Sequence, residues 1–186
     1  DYIMHAPYER TLFLDTDTII DYDIGDMFDI LDNFDIALAH DLARKRKKYS
    51  DTIPEYGEIP YSFSELNTGV IAFKKNEKTD LLWKRWRENF YKWYDIVPWD
   101  QPSFRVSLWQ TTLEDDLKLY VFPVEYNIRS KANREKNRRM HDEFGDEHLA
   151  PRIYHMHADT RINQGVYEIE SVDEALEICK QNFLEY

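Results

Sequence analysis

Thr11 to Leu14 is an uninterrupted run, T-L-F-L, ending at Asp15, the pattern of a strand buried on both faces. Ile24, Met27, Phe28 and Leu31 then recur at helical spacing and predict a short amphipathic helix ending near Asn33. Ile36 to Ala39 reads as a second buried strand leading into His40 and Asp41, and Gly69 to Phe73 as a third, introduced by Leu66-Asn67-Thr68. Residues 42–64 between them read as a loop, because they hold Gly57, Pro54, Pro60 and a run of bases. Asn76 is placed to cap a longer helix with Leu82, Trp86, Phe90 and Trp93 on one face. Asp100 is placed to cap the next, since Pro102 would fall in its first turn, where a missing N–H is harmless. Leu117 to Phe122 and Arg152 to Met156 read as strands. Ser171 and Glu174 stand in capping-box register before an apolar stripe of Val172, Ala175, Leu176, Cys179 and Phe183. Alternating strands and helices predict an α/β fold with a mainly parallel or mixed sheet flanked by helices.

Composition narrows this further. The chain has 186 residues, 42% hydrophobic and 15% aromatic, enough to fill one core and too short for two domains. Twenty-four bases against 36 acids give a net charge of −12, which excludes a nucleic-acid binder or a polybasic membrane docker. The longest apolar runs are a few residues, so no transmembrane segment is expected, and no leader pattern is visible. The lone Cys179 supports neither an internal disulfide nor a thiolate zinc cluster. A soluble, cytoplasmic domain is the expectation. Bases concentrate in Arg44 to Lys48 and in Arg129, Lys131, Arg134, Lys136, Arg138 and Arg139. Both stretches read as solvated loops, with recruitment of an anionic ligand as the sharper alternative.

Asp15-Thr16-Asp17 carries the most chemistry. Ligands of open α/β sheets bind at the carboxyl ends of strands, and these two carboxylates stand there. On extended chain they would lie roughly 6.6 Å apart on one face, able to bracket a Mg²⁺ or Mn²⁺ ion. An acidic protein cannot draw in a diphosphate by its own charge; a divalent cation bridges the two anions. In so acidic a chain the triplet also arises by chance, as Asp21, Asp23, Asp26, Asp29 and Asp32 illustrate, and solvated or capping aspartates are the plain alternative.

Five segments occur in order: P-Y-E-R-T-L-F-L-D-T-D-T (Pro7 to Thr18), A-H-D (Ala39 to Asp41), L-N-T-G-V (Leu66 to Val70), W-D-Q-P (Trp99 to Pro102) and I-Y-H (Ile153 to His155). Together they resemble the nucleotide-diphospho-sugar glycosyltransferases of the GT-A fold, of the glycogenin and lipopolysaccharide galactosyltransferase kind, over Pro7 to Asp159. The resemblance implies a metal-dependent transferase moving a hexose from a nucleotide-diphosphate sugar to a carbohydrate acceptor, with retention at the anomeric carbon. It implies that Asp15, Asp17 and His155 hold the metal, and an imidazole ligand favours Mn²⁺ over Mg²⁺. It implies that Asp41, Asn67, Thr68 and Gly69 bind the donor sugar, and that Asp100 and Gln101 act beside the anomeric carbon. Plainer readings stand beside these: Asp100 as a helix cap, Asn67-Thr68-Gly69 as a turn, His155 as a half-buried histidine. His157, two residues on, is the rival ligand. Tyr126 and Asn127 resemble a family loop and receive no role.

The sequence also departs from the family. Only 14 residues precede Asp15, none forming a strand–turn–helix unit, and the five glycines make no phosphate-cradling cluster. The nucleotide-binding βα half is therefore expected to be missing or reduced. Residues 1–186 read as a single domain, either the carboxyl-terminal part of a larger one or an unusually small version. Asp159, Thr160 and Arg161 stand where glycogenin has lysine and tryptophan after the late histidine. Two rival functions are weighed. One is a non-catalytic module binding a sugar nucleotide or glycan. The other is a haloacid-dehalogenase-type phosphatase, with Asp15 as nucleophile, Asp17 as general acid and Gly25-Asp26-Met27-Phe28-Asp29 as a superficially similar later acidic motif.

Overall fold

The computed structural model describes residues 2–41, 43–129 and 151–155, with Ser171, Asp173, Glu174 and Glu177. In chain order the elements are β1 (Arg10–Leu14), β2 (Thr18–Ile20), α1 (Asp26–Ile30), β3 (Ile36–His40), α2 (Lys47–Ser50), α3 (Pro54–Glu58), β4 (Leu66–Lys74), α4 (Glu77–Trp93), α5 (Asp100–Glu114), β5 (Leu119–Phe122) and β6 (Ile153–His155). The chain divides into two compact units, Asp1–Phe13 with Gly25–Val121 and Leu14–Ile24 with Phe122–Tyr186.

The first unit is built on a four-stranded sheet ordered β1-β4-β3-β5. β3 and β4 are antiparallel, with Ile36 opposite Phe73 and Leu38 opposite Ile71, and the register slips before His40, which faces Leu66. Eight of the nine residues of β4 are buried, so Asn67 and Thr68 lie inside the strand and not in a turn before it. Leu38, Ile71 and Phe73 pack with Leu82 and Trp83 of α4 and Phe104 and Leu108 of α5 in one apolar cluster.

α4 starts as its sequence dictates. The Asn76 side chain accepts from the N–H groups of Lys78 and Thr79, and the Thr79 hydroxyl accepts from the Asn76 N–H. Three of the donors that a helix start leaves orphaned are thereby satisfied, those of Asn76 and Thr79 reciprocally. Asn76 Nδ2 also donates to Asp35 Oδ1 (2.8 Å), tying the helix start to the residue before β3. Asn76→Ala should therefore cost about 1 kcal/mol for the cap alone. Urea unfolding measures this, and an unmoved midpoint would show that the cap contributes nothing.

α5 begins differently from expectation. Trp99 occupies the cap position without a side-chain bond, and Asp100 is the first helical residue. Pro102 falls in the first turn, where its missing N–H is harmless. Asp100 is thus not a cap, and its carboxylate is directed elsewhere.

Residues 43–64 are more ordered than their glycine, prolines and bases suggested. Pro54 opens α3 at a position suited to proline, and Tyr49, Ile53, Tyr56 and Ile59 are buried with Trp93, Val97 and Val106. Tyr49, Ile53 and Tyr56 recur at helical spacing directly after the run of bases, across α2 and α3. Those bases are partly structural. Lys45 Nζ donates to the carbonyls of Gly57 and Ile59 (2.6 Å each), Arg46 pairs with Asp41, and Lys47 pairs with Asp51. In the second basic stretch only Arg129 is described; Lys131 to Arg139 lie outside the described residues.

In the second unit β2 pairs antiparallel with β6, setting Thr18 opposite His155 and Ile20 opposite Ile153. Ile128 bridges Tyr154 in parallel. The pattern of apolar positions did not single out β2, whose three residues lie between aspartates. At the chain's end the Glu174 N–H donates to Ser171 Oγ (3.1 Å), one half of the expected capping box. Val172, Ala175, Leu176, Cys179 and Phe183 lie outside the described residues. Among the described residues no helix is long and apolar enough to cross a membrane.

Candidate functional site

Asp15 follows directly on β1, but the acidic triplet does not continue as extended chain. The Thr18 N–H and hydroxyl both donate to the Asp15 carbonyl (3.1 and 2.7 Å), closing a tight turn. The expected 6.6 Å spacing on one strand face is replaced by a turn. β2 leaves that turn and pairs with β6, which carries His155 to the same place. His155 Nε2 lies 3.2 Å from Asp17 Oδ1 and 3.6 Å from Asp15 Oδ2. One ligand atom from each of the three residues lies within 4.8 Å of the others. The imidazole is buried, at 3% side-chain exposure, whereas Asp15 and Asp17 are 44% and 33% exposed. His157 lies outside the described residues.

The donor set fits a divalent cation. His155 Nδ1 is 3.1 Å from Asn127 Oδ1. An amide oxygen only accepts, so Nδ1 carries the proton and Nε2 is the nitrogen turned to the carboxylates. In the neutral ring an Nε2 lone pair and two carboxylate oxygens then converge. They repel one another unless a cation stands among them, and ligands at about 2.1 Å from one ion are held at just such mutual separations.

Asn127 was assigned no role from sequence, although Tyr126-Asn127 resembles a family loop. It is the outer partner that orients the imidazole. Asn127→Ala should weaken Mn²⁺ binding about 10–100-fold by freeing the ring, as loss of such partners does at other metal sites. Calorimetric titration checks this, and wild-type affinity would remove Asn127 from the site.

The remaining site candidates belong to the first unit. Asp41, 3% exposed, follows β3 and accepts at Oδ1 from the Ala43 N–H (2.9 Å) and from Arg46 Nη2 (3.0 Å). β4 and the start of α5 bring Asn67, Thr68, Asp100 and Gln101 together. Thr68 Oγ1 donates to Asp100 Oδ2 (3.3 Å), and Asn67 Nδ2 donates to Gln101 Oε1 (3.4 Å). The Gly69 N–H donates to Asn67 Oδ1 (3.1 Å), which fixes that amide. Trp86 Nε1 of α4 donates to the Asp100 carbonyl (3.1 Å), holding the first turn of α5.

Beneath this cluster lies Glu65, fully buried, whose carboxylate accepts from Gln101 Nε2 (2.6 Å) and from the Tyr56 hydroxyl (2.5 Å). Burial first, then the bond to Glu65, pushes the Tyr56 pKa upward and keeps its hydroxyl a donor. The buried Arg105 guanidinium lies 4.6 Å from the Tyr56 ring centroid and donates to the Phe63 carbonyl (2.5 Å). Glu65 carries no sequence signal, because one more acid in an acidic chain is unremarked.

The sequence profile of the nucleotide-diphospho-sugar transferases matches residues 10–170. Among solved structures, the galactosyltransferase LgtC in complex with donor and acceptor sugar analogs is 14% identical, with a TM-score of 0.51 over 81% of this chain and 53% of that one. Mouse xyloside xylosyltransferase 1, in its apo form, is 16% identical, with a TM-score of 0.50 over 86% of this chain and 61% of that one. The chain thus spans between half and two thirds of the length of these two structures. No curated protein matches. The mixed α/β architecture agrees with the GT-A fold of these neighbours, and the match over residues 10–170 shows that the chain belongs to the nucleotide-diphospho-sugar transferase family.

Proposed function

We propose that the 186 residues work as one transferase domain that moves a hexose from a nucleotide-diphosphate sugar to a carbohydrate acceptor. The convergence of Asp15, Asp17 and His155 carries this reading, because two carboxylates and an imidazole at these separations are a donor set for Mn²⁺, with Mg²⁺ second. When bound there, the ion supplies Lewis-acid stabilisation of charge on a leaving diphosphate. The protein's own groups do the rest. Asn127 holds the imidazole, and Asp15 and Asp17 offer carboxylate oxygens from a turn closed by Thr18. Asp41, Asn67, Thr68 and Gly69 bind and orient the sugar. The Asp100 carboxylate and the Gln101 carbonyl present electron density to the reacting carbon and steady positive charge as it develops. Retention at the anomeric carbon is the secondary part of this proposal, supported by the resemblance of the motif order to retaining members of the family.

The test is titration with a panel of nucleotide-sugars, with and without Mn²⁺, followed by NMR of the products formed with carbohydrate acceptors. Mn²⁺-dependent binding and a glycoside of retained configuration are expected. Metal-dependent binding without turnover would make the chain a binding module instead. The phosphatase reading needs its later acidic motif on a separate strand, but Asp26 and Asp29 lie on helix α1. Phosphate release from an aryl phosphate, with nucleotide-sugars untouched, would restore it.

A further inference from the structure

We propose that Glu65 is a positioning residue that locks the Gln101 amide with Nε2 turned inward and Oε1 turned toward Asn67, and so acts on the reaction through Gln101. This rests on the reading of Gln101 as a group beside the reacting carbon. An amide can be rotated to exchange its oxygen and nitrogen, and only its partners decide which end faces which way. The fully buried Glu65 carboxylate accepts from the Tyr56 hydroxyl at one oxygen and from the Gln101 nitrogen at the other, at 2.6 Å, so the nitrogen is the end of the amide that faces it. The opposite rotamer would set an amide oxygen against a carboxylate oxygen at that distance.

The other end of the chain of bonds imposes the same orientation. The Gly69 N–H takes Asn67 Oδ1, which leaves Asn67 Nδ2 to donate to Gln101 Oε1. A second arm arrives at the same carboxylate, from the Arg46 N–H to the Tyr56 hydroxyl (2.9 Å) and from that hydroxyl to Glu65 Oε2. Every donor in both arms points toward Glu65, an arrangement in which each bond polarises the next. Arg105, buried over the Tyr56 ring, supplies positive charge near the carboxylate, a compensation that a buried anion needs. An apolar residue at position 65 would fill the space without that demand. What the carboxylate adds is a fixed polarity, so that the Gln101 carbonyl is the end kept from turning inward.

Glu65→Gln tests this, because a second amide can either donate or accept and no longer dictates the Gln101 rotamer. In ¹H–¹⁵N spectra, the Gln101 side-chain protons, assigned by their disappearance in Gln101→Ala, should be shifted downfield and slow to exchange in the wild type. Both properties should be lost in Glu65→Gln. In transfer assays kcat should fall about 10–100-fold, the scale of a misplaced catalytic group, with the donor KM little changed. The same substitution on a Gln101→Ala background should lower kcat no further. Glu65→Asp keeps an acceptor-only group and should restore part of the loss, and circular dichroism confirms that each variant folds. An unmoved Gln101 amide signal in Glu65→Gln, or an equal fall in kcat with and without Gln101, would overturn the proposal. If no nucleotide-sugar is turned over by the wild type, the functional reading fails, while the amide spectra still decide whether Glu65 sets the rotamer.

Discussion

Asp17→Ala should lose Mn²⁺ affinity by about 100-fold or more, at least the upper end of what loss of an outer partner costs a metal site. Asp17 contributes the oxygen nearest to His155 Nε2, at 3.2 Å, and its removal leaves one carboxylate and one imidazole. The fold should survive. The Asp17 side chain is one third exposed, and the turn is closed by the Asp15 carbonyl and Thr18, not by Asp17. Removing one of two adjacent carboxylates also relieves repulsion in the metal-free protein, so its thermal midpoint should hold or rise. Calorimetry with Mn²⁺ is the measurement, with Asp23→Ala, an exposed acid of the same unit outside the triad, as the control. Equal affinity in Asp17→Ala and wild type would remove the metal assignment and, with it, the observation that carries the proposed function.

The largest loss of stability is expected at Trp83. It is 2% exposed and lies edge-on to Phe73 (5.0 Å between centroids), with Trp86 at 6.0 Å and a near-parallel Phe104 at 6.5 Å. It thereby joins sheet, α4 and α5 at one point. Trp83→Ala removes a large apolar surface and leaves a cavity that neighbours on three elements cannot all collapse to fill, a cost of about 3–5 kcal/mol. At roughly 2–4 °C per kcal/mol for a chain of this size, the midpoint should fall by ten degrees or so. Trp83→Phe, which keeps an aromatic ring against Phe73 and Phe104, should lose far less, and Tyr94→Ala, half exposed, should stay near wild type. A Trp83→Ala midpoint within two degrees of wild type would mean that the cluster is not where this unit's stability is concentrated.

Local signals were legible where neighbouring residues were sufficient to impose the structure. Asn76 and Thr79 are three residues apart, and a reciprocal cap needs nothing beyond that spacing. Apolar runs located β1, β3 and β4, although β4 extends back through Leu66, Asn67 and Thr68, because burial there is imposed by flanking elements and not by the polar residues' own preference. Asp100 was misread as a cap because cap and first-turn positions favour the same side chain, and only the backbone at Trp99 distinguishes them. The helices α2 and α3 were hidden because each is one turn long, and the run of bases before Tyr49 and the prolines Pro54 and Pro60 read as loop signals.

By itself the sequence determined the family signature, the strand that leads into Asp15, and which residues are chemically able to hold a cation or steady a sugar. Side-chain type and short-range spacing suffice for those. Only the tertiary structure decided that Asp15–Thr18 turns and that β2 pairs with β6, bringing His155 to carboxylates 138 residues earlier in the chain (from Asp17). It alone assigned Asn127 to the imidazole and Glu65 to the Gln101 amide. Those are bonds between residues far apart in sequence, whose existence depends on strand register and helix packing. No local preference encodes a partner that arrives only when the chain has folded.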